Sequence, residues 1–84
     1  MRITLKLFAG LVSYLPAEVR STSRVDLDLP EGSTVTQAIR DVGLPPEKCS
    51  LVLLNGAFVK PPDREHRLLA EGDVLAIWPP VGGG

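Results

Sequence analysis

Residues 30–46, "PEGSTVTQAIRDVGLPP", decide the fold, because the apolar period changes here. Pro30 to Gly32 mark a turn. Thr34-Val35-Thr36-Gln37 has capping-box spacing: a Thr hydroxyl can accept from the third helical amide while Gln37 reaches back. Val35, Ala38, Ile39 and Val42 follow as one apolar stripe at helical spacing. Gly43 suits the left-handed position that ends a helix, and Pro45 forbids continuation. One helix is predicted, about Val35 to Val42.

On either side the period is two. In "RITLKLF" (2–8), Ile3, Leu5 and Leu7 alternate with Arg2, Thr4, Lys6 and Phe8. "RVDLDLP" (24–30) repeats the pattern with Val25, Leu27 and Leu29 against Arg24, Asp26 and Asp28. Matched length and matched faces pair these strands antiparallel, with Arg2 and Lys6 read as surface partners of Asp26 and Asp28. The long connection "AGLVSYLPAEVRSTS" (9–23) carries Leu11, Val12, Tyr14 and Leu15. It is predicted to fold back over a core edge with a helical turn. "SLVLLNGAFVK" (50–60) is two apolar runs around Asn-Gly, the strongest short hairpin signal. "PPDREHR" reads as surface loop, and "LLAEGD" as a turn that tucks Leu68 or Leu69 inward. "VLAIW" (74–78) is apolar throughout, as a central strand contacted on both faces would be.

A single helix covers one face of such a sheet, so the fold class is α+β in two layers. The other face stays open. It holds Phe8 with either Leu75 and Ile77 or Val74 and Trp78, according to register. Two readings of Phe8 and Trp78 stand side by side: an exposed docking patch, or core packing beneath the 9–23 loop.

Composition narrows the function. At 84 residues the chain makes one domain, 44 % hydrophobic and 23 % charged, with a formal charge of −1. A nucleic-acid binder needs net positive charge, so none is expected. The lone Cys49 cannot make an internal disulfide, which suits a reducing cytoplasm. The N-terminus reads directly as a strand, without the apolar segment of a signal peptide, and no run approaches a membrane span. His66 has no partner at metal or catalytic spacing and reads as a solvated loop residue. Cys49 reads as a small half-buried residue, with Lys48 the only neighbour that could lower its pKa. Arg64, Glu65 and Arg67 read as a solvated mixed-sign surface. No hydrolytic triad, P-loop, Rossmann glycine pattern or Cys/His metal set is present. The chain therefore does not read as an enzyme.

The end of the chain, "WPPVGGG" (78–84), is unusual for a folded domain. Glycine loses the most backbone freedom on ordering, so three in a row fold poorly for their own benefit. Either this terminus is idle or another protein uses it.

The stretches "ITLKLFAGL", "LPEGSTVTQAI", "LLNGAFV" and above all "LLAEGDVLAIWPPVGGG" resemble the ubiquitin-like β-grasp sulfur carriers of the MoaD/ThiS type. That group contains the small subunit of molybdopterin synthase and the thiamine-pathway carrier. The resemblance covers nearly the whole chain and ends on the Gly83-Gly84 pair. The 9–23 loop is longer than in the shortest members, and Gly82 stands where members often have Ser, Thr or Ala.

The resemblance implies a β-grasp sheet of four to five strands with one main helix on one face, a domain over 1–78 and a flexible tail over 79–84. It implies that the Gly84 carboxylate is adenylated by an E1-like adenylyltransferase of the MoeB/ThiF type, using ATP and Mg²⁺. A persulfide sulfur then displaces AMP and leaves a thiocarboxylate. Gly82 and Gly83 would thread a narrow channel behind Gly84, while Pro79 and Pro80 stiffen the exit and Val81 links the two. Phe8 and Trp78 would anchor docking. The pathway implied first is molybdenum or tungsten cofactor synthesis, with the larger molybdopterin synthase subunit as partner. Thiamine thiazole formation, tRNA thiolation and cysteine synthesis use the same tail chemistry. Two further readings are a ubiquitin-like modifier that forms isopeptide bonds and a non-conjugating β-grasp interaction module.

Overall fold

The computed structural model describes residues 1–80. Five strands form one sheet: β1 (Arg2–Leu7), β2 (Arg24–Asp28), β3 (Leu51–Leu54), β4 (Ala57–Phe58) and β5 (Val74–Trp78), with the helix α1 (Val35–Asp41) packed on one face. The strand order is β2-β1-β5-β3-β4. β1 runs parallel to β5, while the other neighbours are antiparallel. This is the β-grasp arrangement.

Alternation decides what is buried. Ile3, Leu5 and Leu7 of β1 point under α1 together with Leu75 and Ile77 of β5 and Val52 and Leu54 of β3. Val35, Ala38 and Ile39 close the core from the helix side. The connection over 9–23 forms two 3₁₀ turns, Ala9–Tyr14 and Ala17–Thr22, and delivers Leu11 and Leu15 to the edge of this core. Leu69 is the inward residue of its pair; Leu68 is 61 % exposed.

Local chemistry explains both the helix and the hairpin. The Gln37 amide donates to Thr34 Oγ1 at 3.3 Å, and the Thr34 amide to Gln37 Oε1 at 2.8 Å, completing the capping box. Two further amides at the helix start are satisfied from outside: Val35 donates to the Arg67 carbonyl and Thr36 to that of Arg64, each at 3.0 Å. At the other end Gly43 has φ +78°, and the amides of Gly43 and Leu44 return to the carbonyls of Arg40 and Ile39. That pair of bonds is the Schellman motif. In the hairpin, Asn55 and Gly56 both have positive φ (50° and 85°), as a two-residue type I′ turn requires. The turn is tied to β5: Asn55 Nδ2 donates to Asp73 Oδ1 at 2.9 Å, and the Val74 amide to Asn55 Oδ1 at 2.8 Å.

Two surface assignments made from charge pattern are corrected. Arg64 is only 7 % exposed. Its guanidinium donates to the carbonyls of Cys49 (2.6 Å), Val59 (3.1 Å) and Ser50 (3.3 Å), so it staples the entrance of β3 to the exit of β4. A planar fork meets three carbonyls at once, which repays the burial of its charge. Lys6, expected opposite an aspartate, lies directly across from Arg24. The register pairs Arg2 with Asp28 and Thr4 with Asp26, leaving only cations at the next polar position.

The sheet ends in short or charged strands. β4 has two residues, and β2 shows Arg24, Asp26 and Asp28 on its solvent side. Arg64→Ala should cost about 2–3 kcal/mol, because three carbonyls lose their donor, those of Cys49 and Val59 in buried contacts. Arg64→Lys should recover only a minor part, since an ammonium lacks the fork geometry. Urea unfolding of the three proteins checks both.

Candidate functional site

The face away from α1 carries the side chains that alternation turns outward. One row across the sheet reads Arg24, Lys6, Ala76, Leu53, Phe58. The next row towards the C-terminal end of β5 holds Trp78 with Leu51 opposite, and Phe8 follows β1 beside them. Val74 lies one row the other way, next to Thr4. The face is therefore apolar over β5, β3 and β4 and polar over β1 and β2. Leu51 is 39 % exposed and Phe58 53 % exposed, which is unusual for side chains of this size.

Phe8 and Trp78 share this face. Their rings stack with centroids 4.2 Å apart and planes within 2°. Both are half-buried, so the reading as core beneath the 9–23 loop is set aside. The parallel pairing makes the contact possible, since β1 and β5 finish at the same end of the sheet. Ala9, immediately after Phe8, adopts φ +52°, a left-handed conformation costly for a residue with a Cβ, and there the chain turns from β1 into the first 3₁₀ turn.

Trp78 is also the last residue of the ladder. The Phe8 amide donates to the Ile77 carbonyl at 3.2 Å, and the Ser50 amide to the Trp78 carbonyl at 3.0 Å. Pro79 and Pro80 have no N–H to extend pairing on either side, so the strand stops there. Pro79 is half-buried and Pro80 exposed. Val81, Gly82, Gly83 and Gly84, the remaining residues to which a role is assigned, lie outside the described residues.

Leu51, Leu53 and Phe58 belong to the same patch and were not anticipated. The signal was present: the Asn-Gly turn fixes Leu53 opposite Phe58, and burial of Val52 and Leu54 turns Leu51 and Leu53 outward.

The remaining titratable candidates lie elsewhere. Cys49 is fully buried on the core side rather than half-buried, with Sγ 3.6 Å from the Pro45 carbonyl. Burial pushes its thiol pKa up, and the Arg64 guanidinium, not Lys48, supplies the opposing pull. Lys48 instead sits over the Tyr14 ring, 5.9 Å from its centre. His66 is exposed in its loop. Among the described residues no group of His, Cys, Asp or Glu is placed to hold a metal ion. No helix among them is long and apolar enough to cross a membrane.

A double-mutant cycle of Phe8→Ala and Trp78→Ala, read by urea unfolding, should give a coupling of about 0.5–1.5 kcal/mol from the stack. Cys49 should be inert to thiol reagents until the protein unfolds. With its pKa raised on folding, its protonated form is the folded one. Its contribution is complete below the unfolded-state value of about 8.5 and declines as pH rises towards the higher folded value. Unfolding free energies at neutral and alkaline pH should therefore fall less in Cys49→Ala than in the wild type.

The family model described as "ThiS family" matches residues 14–84. A search of curated proteins finds no match. Among solved structures, SAMP1 of Haloferax volcanii is similar over 100 % of both chains, at 32 % identity and a TM-score of 0.67. A putative molybdopterin converting factor subunit 1 from Pyrococcus furiosus shares the fold at 22 % identity and a TM-score of 0.66, covering 96 % of this chain and 99 % of its own. The protein-protein complex of subunits 1 and 2 of the molybdopterin-converting factor from Helicobacter pylori contains a chain of the same fold, at 16 % identity, full coverage of both and a TM-score of 0.61. The family model spans most of the chain and the β-grasp sheet agrees with it: the protein belongs to the ThiS family, ubiquitin-like proteins of the ThiS/MoaD sulfur-carrier type.

Proposed function

We propose that this protein carries sulfur as a thiocarboxylate on Gly84 and catalyses nothing itself. The observation that carries the reading is the family match running to the last residue, onto a terminal Gly83-Gly84 pair. A free carboxylate resists nucleophiles because its charge is delocalised. An E1-like adenylyltransferase with ATP and Mg²⁺ makes it reactive: the Gly84 carboxylate attacks the α-phosphate and releases pyrophosphate. A persulfide sulfur displaces AMP, and thiol cleavage of the S–S bond leaves –COSH.

The described residues suit that scheme through their face. Ordering the glycines costs roughly 1–2 kcal/mol each, and a residue without a side chain brings little contact area to offset it. Binding energy must come from the body, and the Phe8, Trp78, Leu51, Leu53 and Phe58 patch lies at the end of β5 from which the tail departs. Aromatic anchors dominate such interfaces. Pro79 and Pro80 stiffen the departure, and Val81 and Gly82 continue it into the partner.

The acceptor favoured is the molybdenum or tungsten cofactor pathway, with this chain as the small component of a molybdopterin synthase beside a larger catalytic one. The fold shared with a chain of the Helicobacter pylori molybdopterin-converting complex supports it. A second reading, a modifier joined to lysines by an isopeptide bond, is favoured by the 32 % identity to SAMP1, a small archaeal modifier protein.

Intact-mass spectrometry distinguishes the two. Incubation with the adenylyltransferase, ATP, Mg²⁺ and a persulfide donor should yield a chain heavier by the difference between sulfur and oxygen. Conjugation instead yields high-mass adducts that survive boiling with reductant. Deleting Gly83 and Gly84 together should abolish both at an unchanged melting temperature. A large loss of stability on that deletion would show the terminus to be structural.

A further inference from the structure

The open face changes sign along β1. At the Arg2 end, the guanidinium lies 3.8 Å from Asp26 and 4.0 Å from Asp28, and Thr4 Oγ1 donates to Asp26 at 3.1 Å. Further along the strand, Lys6 stands directly across from Arg24. Among the described residues neither cation has a carboxylate within ion-pair distance. With Phe8, Thr22 and Ser23 they line an open pocket of about 400 Å³. Like charges directly opposite in an antiparallel pair repel, so the fold holds this pair against its own stability. Lys6 neighbours Ala76 across the parallel ladder, and Phe8 continues the same strand face onto Trp78. Two unpaired cations thus border the aromatic stack where the chain leaves β5.

We propose that Lys6 and Arg24 are the electrostatic half of the docking face, and that their occupant is a cluster of carboxylates on the activating adenylyltransferase, beside the opening that takes the tail. The inference rests on the sulfur-carrier reading above. Net charge does not draw an acidic partner to this protein, because the chain as a whole is at −1. The local pair does, and it sets direction. Carboxylates at the Lys6 end are attracted, whereas a partner docked the other way round brings them over Asp26 and Asp28 and is repelled. Only the first orientation aims Trp78 and the residues after it at the partner's opening. The apolar strip supplies most of the contact area, and the cations supply its polarity.

The test is charging by the adenylyltransferase of the same genome, with ATP, Mg²⁺ and a persulfide donor, followed as pyrophosphate release against carrier concentration at low and high salt. Lys6→Glu and Arg24→Glu each turn a like-charge pair into an opposite one, so the melting temperature should hold or rise. Lys60→Glu makes the same charge change on the loop after β4. Each face variant should raise KM about tenfold with kcat retained, and should flatten the salt dependence of KM. Lys60→Glu should stay near the wild type. If the wild type is charged and the face variants keep its KM, the docking inference is overturned while the sulfur-carrier reading stands. Sedimentation that finds a wild-type dimer, dissociated by Lys6→Glu, also overturns it, since the pair would then serve Asp26 and Asp28 of a second copy. A wild-type chain that is never charged overturns the sulfur-carrier reading and this inference with it.

Discussion

The parallel pairing of β1 with β5 is the constraint on which the rest depends. The first and last strands lie side by side at the centre of the sheet, so everything between them must cross from one end to the other. A parallel connection cannot be a tight turn. The crossing includes α1, whose stripe of Val35, Ala38 and Ile39 seals one face and leaves the other uncovered. The same pairing brings Phe8 and Trp78 to one end. Were β5 antiparallel to β1, Trp78 would sit near Arg2, and the aromatic pair, the cations and the departing chain would be scattered over the sheet.

Much of this fold is legible in the sequence. The capping box at Thr34 and Gln37, the Gly43 stop, the Asn55-Gly56 turn and the β1–β2 pairing each rest on chemistry within a few residues or on a clean alternation. The face taken by Trp78 is not legible. Val74 to Trp78 are all apolar, and only the register against Leu5 and Leu7 distinguishes inward from outward. The path of 9–23 is visible as apolar residues but not as two 3₁₀ turns, whose short bonds leave little periodicity to read.

Charge pattern misleads in two places for one reason: it carries no information about distant partners. Arg64 sits between Asp63 and Glu65 and looks solvated, yet its partners are carbonyls at Cys49, Ser50 and Val59 that no nearby spacing reveals. Lys6 looks like the counterpart of an aspartate until the register places Arg24 there. The first residue holds the structure together. The second weakens it slightly and marks where another molecule is to make up the loss. A buried charge that is fully bonded and an exposed charge that is not are opposite signals.

The outer strands carry a consequence of their own. A two-residue β4 offers almost no backbone to extend, and β2 carries a charged side chain at every second residue. An incoming peptide that tried to continue the ladder would find too few free amides on one margin and mismatched ions on the other. Strand addition at the sheet edges is thereby disfavoured, which leaves contacts to the body of the domain to its side chains. Such contacts can change in affinity one substitution at a time, while the hydrogen-bonded frame beneath stays as it is.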